Sequence, residues 1–301
     1  MMWPRLFTAM VTPFTEQGYI DTHAAAGLAR YLRDHGSGGL VLAGSTGEAF
    51  SLAPLERKLL FEAVVGAIHH DIPIWVGTGT NDTRTTIELS VEAEMWGADG
   101  LLVVSPYYNK PTPEGLIRHY VEVAHQVHCP LMLYNVPGRT ASMVDATTIQ
   151  EISQQVSQPF AVKEASGSMD QIMRLRRALA PTVPIYSGDD ALYLPQLALG
   201  AHGVVSVASH VVGEEITAMT ESFINGNIVA AQKIHDDLWP LFKALFLVSN
   251  PLPLKWLLSK LELVRRVVRS PLVMPDDATF VPLWAAYLEA KHLSALGSAV
   301  H

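Results

Sequence analysis

Short apolar runs alternate with longer amphipathic stretches eight times, at a repeat of roughly 30 residues, up to about residue 224. No other feature of the chain constrains its fold as much. The runs, at residues 7–11, 39–43, 74–78, 100–105, 131–135, 161–164, 185–188 and 203–207, read as strands. They are continuously apolar rather than alternating, as expected of parallel strands buried on both faces. Residues 54–68 and 83–96 are among the helical patterns between them. Thr112-Pro113-Glu114 and Ser168-Met169-Asp170 place a hydroxyl cap and an early acid before helices, and Gly36, Gly97 and Gly200 stand where helices should stop. Eight strand–helix units predict an α/β fold of the closed (β/α)₈ type, the TIM barrel, which uses roughly 250 residues as one domain. An open doubly wound sheet would carry a glycine-rich phosphate loop after its first strand. The nearest candidate, Gly77-Thr78-Gly79, lacks the third glycine and follows the third strand.

Beyond Asn227 the strand pattern ceases. Helical stretches at 228–246, 252–263 and 278–296 are separated by Pro251 with Pro253, and by Ser270-Pro271 with Pro275. The expected organisation is a catalytic barrel over 1–224 and a helical extension, 225–301, packed on it.

Net charge is −8 with no block of lysines or arginines, which argues against nucleic acid or an anionic membrane surface as partner. A small anionic substrate remains compatible with one or two local cations. The single cysteine, Cys129, excludes an internal disulfide. No uncharged apolar run reaches the roughly 18 residues of a membrane span, and Met1-Met2-Trp3-Pro4-Arg5 lacks the features of a signal peptide. A cytoplasmic location is expected.

In such a barrel the C-terminal strand ends converge on one mouth, where function is built. Lys163 lies inside the sixth run, behind Phe160-Ala161-Val162. An ammonium there would be costly, and a desolvated neutral amine is what attacks a ketone. The alternative is a lysine ion-paired with Glu164. Tyr134 belongs to the preceding strand, where a phenol can relay protons for a forming carbinolamine. Gly44-Ser45-Thr46-Gly47 offers hydroxyls and N–H groups suited to a carboxylate, and Arg139 can hold a second carboxylate in a forked contact. Other chemistries find less support. The twelve histidines include no His-Glu-x-x-His, so no metal site is expected. No Gly-x-Ser-x-Gly elbow is present. Asp189-Asp190 reads as structural, and His69, His70 and His235 as helix-surface residues.

These motifs resemble one family, the class I pyruvate-dependent aldolases and lyases of the dihydrodipicolinate synthase and N-acetylneuraminate lyase superfamily. The resemblance runs from Thr8-Ala9-Met10-Val11-Thr12-Pro13-Phe14 to Asn250-Pro251-Leu252-Pro253-Leu254-Lys255. Tyr134-Asn135-Val136-Pro137-Gly138-Arg139-Thr140, followed by Val162-Lys163-Glu164-Ala165-Ser166-Gly167, carries most of it.

The resemblance implies that Lys163 forms a Schiff base with pyruvate and that Tyr134, Ser45 and Tyr108 form a proton relay. Tyr108 would reach across a dimer interface into the partner's site. Thr46 would hold the pyruvate carboxylate, Arg139 the carboxylate of L-aspartate-4-semialdehyde, and backbone at Gly188 and Val205 would line the pocket. It implies no metal or organic cofactor, and a homotetramer of tight dimers serving lysine and diaminopimelate synthesis. Two departures stand out. Ser45 and Glu48-Ala49-Phe50 are similar to the N-acetylneuraminate lyase branch, whereas Arg139 and Tyr107-Tyr108-Asn109 favour the synthase branch. Pro54, Arg57 and Thr85 replace the histidines and glutamate of lysine-sensitive enzymes, while Asn81 and Tyr107 are kept, so weak or absent lysine inhibition is expected. A sugar-acid aldolase, such as N-acetylneuraminate lyase or 2-keto-3-deoxygluconate aldolase, is the alternative; a keto-acid-binding regulator without catalysis is a more distant one.

Overall fold

A computed structural model describes residues 3–298; Met1, Met2 and the last three positions of the expected extension lie outside the described residues. Strands β1 (Leu6–Ala9), β2 (Gly39–Leu42), β3 (Ile74–Gly77), β4 (Gly100–Val104), β5 (Leu131–Asn135), β6 (Phe160–Glu164), β7 (Ile185–Ser187) and β8 (Gly203–Ser206) close into a barrel in chain order. Every neighbouring pair is parallel, β8 against β1 included. The architecture is the TIM barrel that the alternating pattern predicts.

Helices α1 (Thr22–Asp34), α2 (Pro54–Ile68), α3 (Thr83–Trp96), α4 (Pro113–Ala124), α5 (Pro137–Thr140), α6 (Ala146–Gln155), α7 (Met169–Ala178), α8 (Tyr193–Ala198) and α9 (Ser209–Ile224) connect and follow the strands. The start signals work as read: the Thr112 hydroxyl accepts from Gly115 N and the Ser168 hydroxyl from Gln171 N. Several strands end a residue or two earlier than the apolar runs do. At Val11 the reason is visible, because its N–H donates to His210 Nε2 at 3.2 Å instead of to a neighbouring strand.

Strand alternation sorts the barrel into two compartments. Phe7, Val41, Trp75, Leu102, Met132, Ala161, Tyr186 and Val205 point inward, while residues such as Leu6, Leu40, Leu133 and Val162 pack outward against the helices. The barrel floor is aromatic, with Phe7 edge-on to both Trp75 (5.4 Å) and Tyr186 (5.6 Å). Gly39 makes room for it, since a Cβ there would come within 2.5 Å of the Phe7 ring. With the floor plugged, the open inward space lies at the opposite end of the strands.

The C-terminal segment forms α10 (Ile228–Ala244), α11 (Leu252–Lys260) and α12 (Val281–Ser298). Pro253 does not separate helices as expected; it lies in the first turn of α11, where its missing N–H costs nothing. His235 also departs from expectation. It is only 12% exposed, and its Nε2 pairs with Ala191 O at 2.9 Å, tying α10 to the loop after β7. Lys255 of α11 is fully buried and ion-paired with Glu48 in the loop after β2, so the segment is anchored at the barrel mouth.

Candidate active site

Lys163 and Tyr134 are register partners on β6 and β5, and both point into the barrel. The Lys163 Nζ stands 4.1 Å from the centroid of the Tyr134 ring. Glu164, the expected ion-pair partner of the alternative reading, points the other way. It accepts from Asn135 Nδ2 (2.8 Å) and Ser166 N (2.7 Å) on the outer face. Lys163 has no carboxylate partner within ion-pair distance among the described residues, and it is 6% exposed.

Burial dominates its electrostatics and lowers the amine to about 7; the Asp190 carboxylate opposes this and the Arg139 guanidinium reinforces it. A substantial fraction of Lys163 is therefore the neutral nucleophile near neutral pH. Burial raises the Tyr134 phenol, while the Arg139 charge and hydrogen bonding from Ser45 pull it back down. Such a phenol stays protonated and can both give and accept a proton.

Gly188 follows β7 and leaves space beside the amine, because a Cβ there would lie 3.1 Å from Lys163 Cε and 2.5 Å from Ala165 Cβ. Val205 is buried on the inward face of β8, one residue beyond the Val204 that opposes Ser187. Ser45 and Tyr134 line one small pocket with Gly44, Gly77, Gly79, Leu102 and Val104.

The loop after β2 is shaped for an anion. Its carbonyls are occupied: Gly44 O accepts from Ala49 N, Ser45 O from Glu48 N, and Gly47 O from the Thr12 hydroxyl. The N–H groups of Ser45, Thr46 and Gly47 find no acceptor among the described residues. N–H groups without acceptors, together with two hydroxyls, are the kind of donor set that can hold a carboxylate. Arg139, on the short helix α5, is exposed and has no ion-pair partner among the described residues, while its charge reaches both Lys163 and Tyr134.

One expected residue stays apart. Tyr108 is 88% exposed with φ 72°, and among the described residues no hydrogen bond ties it to Tyr134 or Ser45. Within a single chain, Tyr134 and Ser45 are the two of the three expected relay residues that lie together. Asp190, read from the sequence as structural, ties two loops together, and Asn250 is an addition that sequence reasoning did not assign. Asp190 Oδ2 accepts from Val207 N (3.0 Å) and Ala208 N (2.9 Å), joining the end of β7 to that of β8, and its charge reaches Lys163. Asn250 donates to the Thr46 hydroxyl. Asn250 belongs to the C-terminal segment that carried the resemblance, but nothing in that segment's sequence points at the loop after β2. Among the described residues no group of three or more His, Cys, Asp or Glu is placed to hold a metal ion, and no helix is long and apolar enough to cross a membrane.

Comparison with known proteins identifies the family. The 4-hydroxy-tetrahydrodipicolinate synthase of Moorella thermoacetica is 47% identical over 273 residues, covering 91% of this chain and 93% of that one. That of Heliobacterium modesticaldum is 48% identical over 92% of both chains. The crystal structure of the Cyanidioschyzon merolae enzyme with lysine bound superposes with a TM-score of 0.93 at 40% identity, covering 95% of this chain and 98% of that one. Residues 2–280 match the model of the dihydrodipicolinate synthetase family, and the chain belongs to that family.

Proposed function

We propose that this lyase condenses pyruvate with L-aspartate-4-semialdehyde to 4-hydroxy-tetrahydrodipicolinate, in the biosynthesis of lysine and diaminopimelate. The observation that carries the reading is the inward-facing, desolvated Lys163 beside Tyr134. The neutral Lys163 amine adds to the pyruvate ketone, and loss of water from the carbinolamine gives an iminium. Loss of a C3 proton then yields an enamine, whose C3 attacks the aldehyde carbon. The amine of the second substrate displaces Lys163 from the iminium carbon, closing the ring and freeing the enzyme.

In this reading Tyr134 moves protons to and from the carbinolamine through Ser45. Thr46 and the free N–H groups around it take the pyruvate carboxylate, and Arg139 takes that of the semialdehyde. Gly188 and Val205 line the pocket. The protonated imine itself is the electron sink, so the chemistry calls on no metal or organic cofactor. Tyr108 completes the relay of a neighbouring subunit, within a homotetramer of dimers in the cytoplasm. We assign residues 1–224 to the catalytic barrel and 225–301 to the extension that supports it.

Borohydride added with pyruvate should leave one reduced pyruvate on the chain, absent from Lys163→Ala. Assayed with pyruvate and each aldehyde in turn, the protein should prefer the semialdehyde, and Arg139→Ala should lose that preference while still trapping pyruvate. No adduct on the unmodified protein would end the Schiff-base reading. Preference for N-acetylmannosamine or glyceraldehyde would move the enzyme to the sugar-acid aldolases.

A further inference from the structure

Thr46 is 4% exposed in the loop after β2, and its hydroxyl oxygen accepts a hydrogen bond from Asn250 Nδ2 at 2.9 Å across 204 residues of sequence. Asn250 is itself 6% exposed, and its Oδ1 is buried without a partner. Among the described residues, the hydrogen bond to the threonine is the one its side chain makes. A threonine hydroxyl has one proton to give and two lone pairs to receive with. With a lone pair taken by Asn250, and no acceptor for its own proton among the described residues, the hydroxyl must present that proton elsewhere. The neighbouring groups without acceptors are the N–H groups of Ser45, Thr46 and Gly47. All are donors, so the hydroxyl proton joins a set suited to an anion.

Asn250 is held in place independently of Thr46. It directly precedes the segment leading into α11, where Lys255 is ion-paired with Glu48, two residues beyond Thr46. Lys255 also donates to Val267 O at 2.8 Å. The C-terminal segment thus grips the loop twice, once by charge at Glu48 and once by a directed hydrogen bond at Thr46.

We propose that Asn250 is a positioning residue for the reaction: its side-chain amide fixes the Thr46 hydroxyl as a donor, so that the substrate's carboxylate meets a proton rather than a lone pair. The inference rests on the reading above, in which Thr46 receives the pyruvate carboxylate.

The test measures pyruvate KM and kcat for Asn250→Ala, Asn250→Asp and Thr46→Val, singly and in the two Asn250/Thr46 double variants. Borohydride trapping on the unmodified protein is run alongside. Asn250→Ala frees the hydroxyl and should raise the pyruvate KM roughly tenfold, the scale of a hydrogen bond to a charged group, with kcat little changed. Asn250→Asp is isosteric and keeps the packing, but its carboxylate draws the hydroxyl proton towards itself. It should raise KM further than alanine does. In the Thr46→Val background both Asn250 substitutions should add little, because the hydroxyl they act through is gone. Equal effects of alanine and aspartate, additive with Thr46→Val, would overturn the proposal and leave Asn250 a packing residue. Should Asn250→Ala fail to fold, the aspartate variant and its double variant with Thr46→Val decide the matter alone. Absence of the trapped adduct on the unmodified protein would instead strike the Schiff-base reading, whatever the KM values do.

Discussion

Lys163 Nζ lies 4.1 Å from the centre of the Tyr134 ring, on register partners of adjacent strands. The barrel thereby meets two opposed demands at one point. The ring face favours the ammonium, while burial, reinforced by Arg139, outweighs the opposing Asp190 charge and lowers the amine to about 7. An amine so balanced can be neutral to attack and protonated to leave.

The pH dependence follows from that value. The pyruvate kcat/KM should fall as pH drops below about 7, because the ammonium form has no lone pair to add to a ketone. Stability should show the opposite face of the same group. Below about 7 Lys163 is charged in both states and the full cost of burying it is felt. Between 7 and 10.5 the unfolded chain holds a proton that the folded one does not, so stability rises with pH. Lys163→Met removes this cost, and its gain under mildly acidic conditions should exceed that seen above pH 10.5 by about 5 kcal/mol. Urea midpoints at the two pH values check it; an equal gain at both would show that the amine is not held down by burial.

Gly188 should tolerate no side chain. A Cβ at that position meets Ala165 Cβ at 2.5 Å and Lys163 Cε at 3.1 Å, so Gly188→Ala must push the lysine stem aside. A displacement of that order should slow pyruvate trapping about 100-fold, with a stability loss of about 1–3 kcal/mol from overpacking. Gly27→Ala, where a Cβ meets nothing within 4 Å, serves as the control. Trapping by Gly188→Ala at the unmodified rate would show that the space beside the lysine is not needed.

The pair Glu48–Lys255 should matter to stability in proportion to its burial, with side chains 3% and 0% exposed. Lys255→Met leaves the Glu48 carboxylate buried without its partner and should cost about 3–5 kcal/mol. Adding Glu48→Gln should recover much of that loss, since a neutral amide needs no counter-charge. Denaturant titration of the three proteins measures the coupling. A Lys255→Met cost below about 1 kcal/mol would mean that water reaches the carboxylate.

Much of this molecule was legible in its sequence because the barrel repeats one pattern. The bounds read for residues 54–68 and 83–96 are those of α2 and α3, and the strand reading differs from the structure mainly by a residue or two at the strand ends. Those ends fray into loops whose N–H groups find side chains such as His210, and hydrophobicity carries no sign of that exchange. The inward lysine was readable for a similar reason: a charge inside an apolar strand must have a purpose or a partner. What periodicity could not supply was which way Glu164 turns, or that Asn250 reaches Thr46 from 204 residues away. Such contacts depend on how the C-terminal segment is draped over the mouth, and side-chain direction at a loop leaves no periodic trace. His235 was misread because α10 packs against the loop after β7, a contact its own helical pattern does not reveal.

Inhibition by lysine should be weak or absent. Arg57 stands where lysine-sensitive enzymes place a histidine. It is a buried guanidinium, donating to Gly77 O at 2.8 Å and Ala49 O at 2.6 Å, and its positive charge acts on Tyr107. An incoming ammonium would meet this charge, against which the field of the exposed Glu92 carboxylate acts. Thr85 has replaced the glutamate, and its N–H and hydroxyl both donate to the Asp82 carboxylate, at 2.8 Å and 2.7 Å, as part of the cap of α3. Asp82 is thus committed to the helix start. The Asn81 main-chain carbonyl accepts from Asn109 Nδ2 at 2.7 Å, a bond that does not use its side-chain amide. Asn81 and Tyr107 are left in place, Tyr107 packed edge-on against Phe50. Steady-state assays across a lysine series should therefore show no inhibition at micromolar concentrations, and calorimetry should detect no tight binding. Strong inhibition at micromolar lysine would mean that the effector is held by groups other than those at 54, 57 and 85.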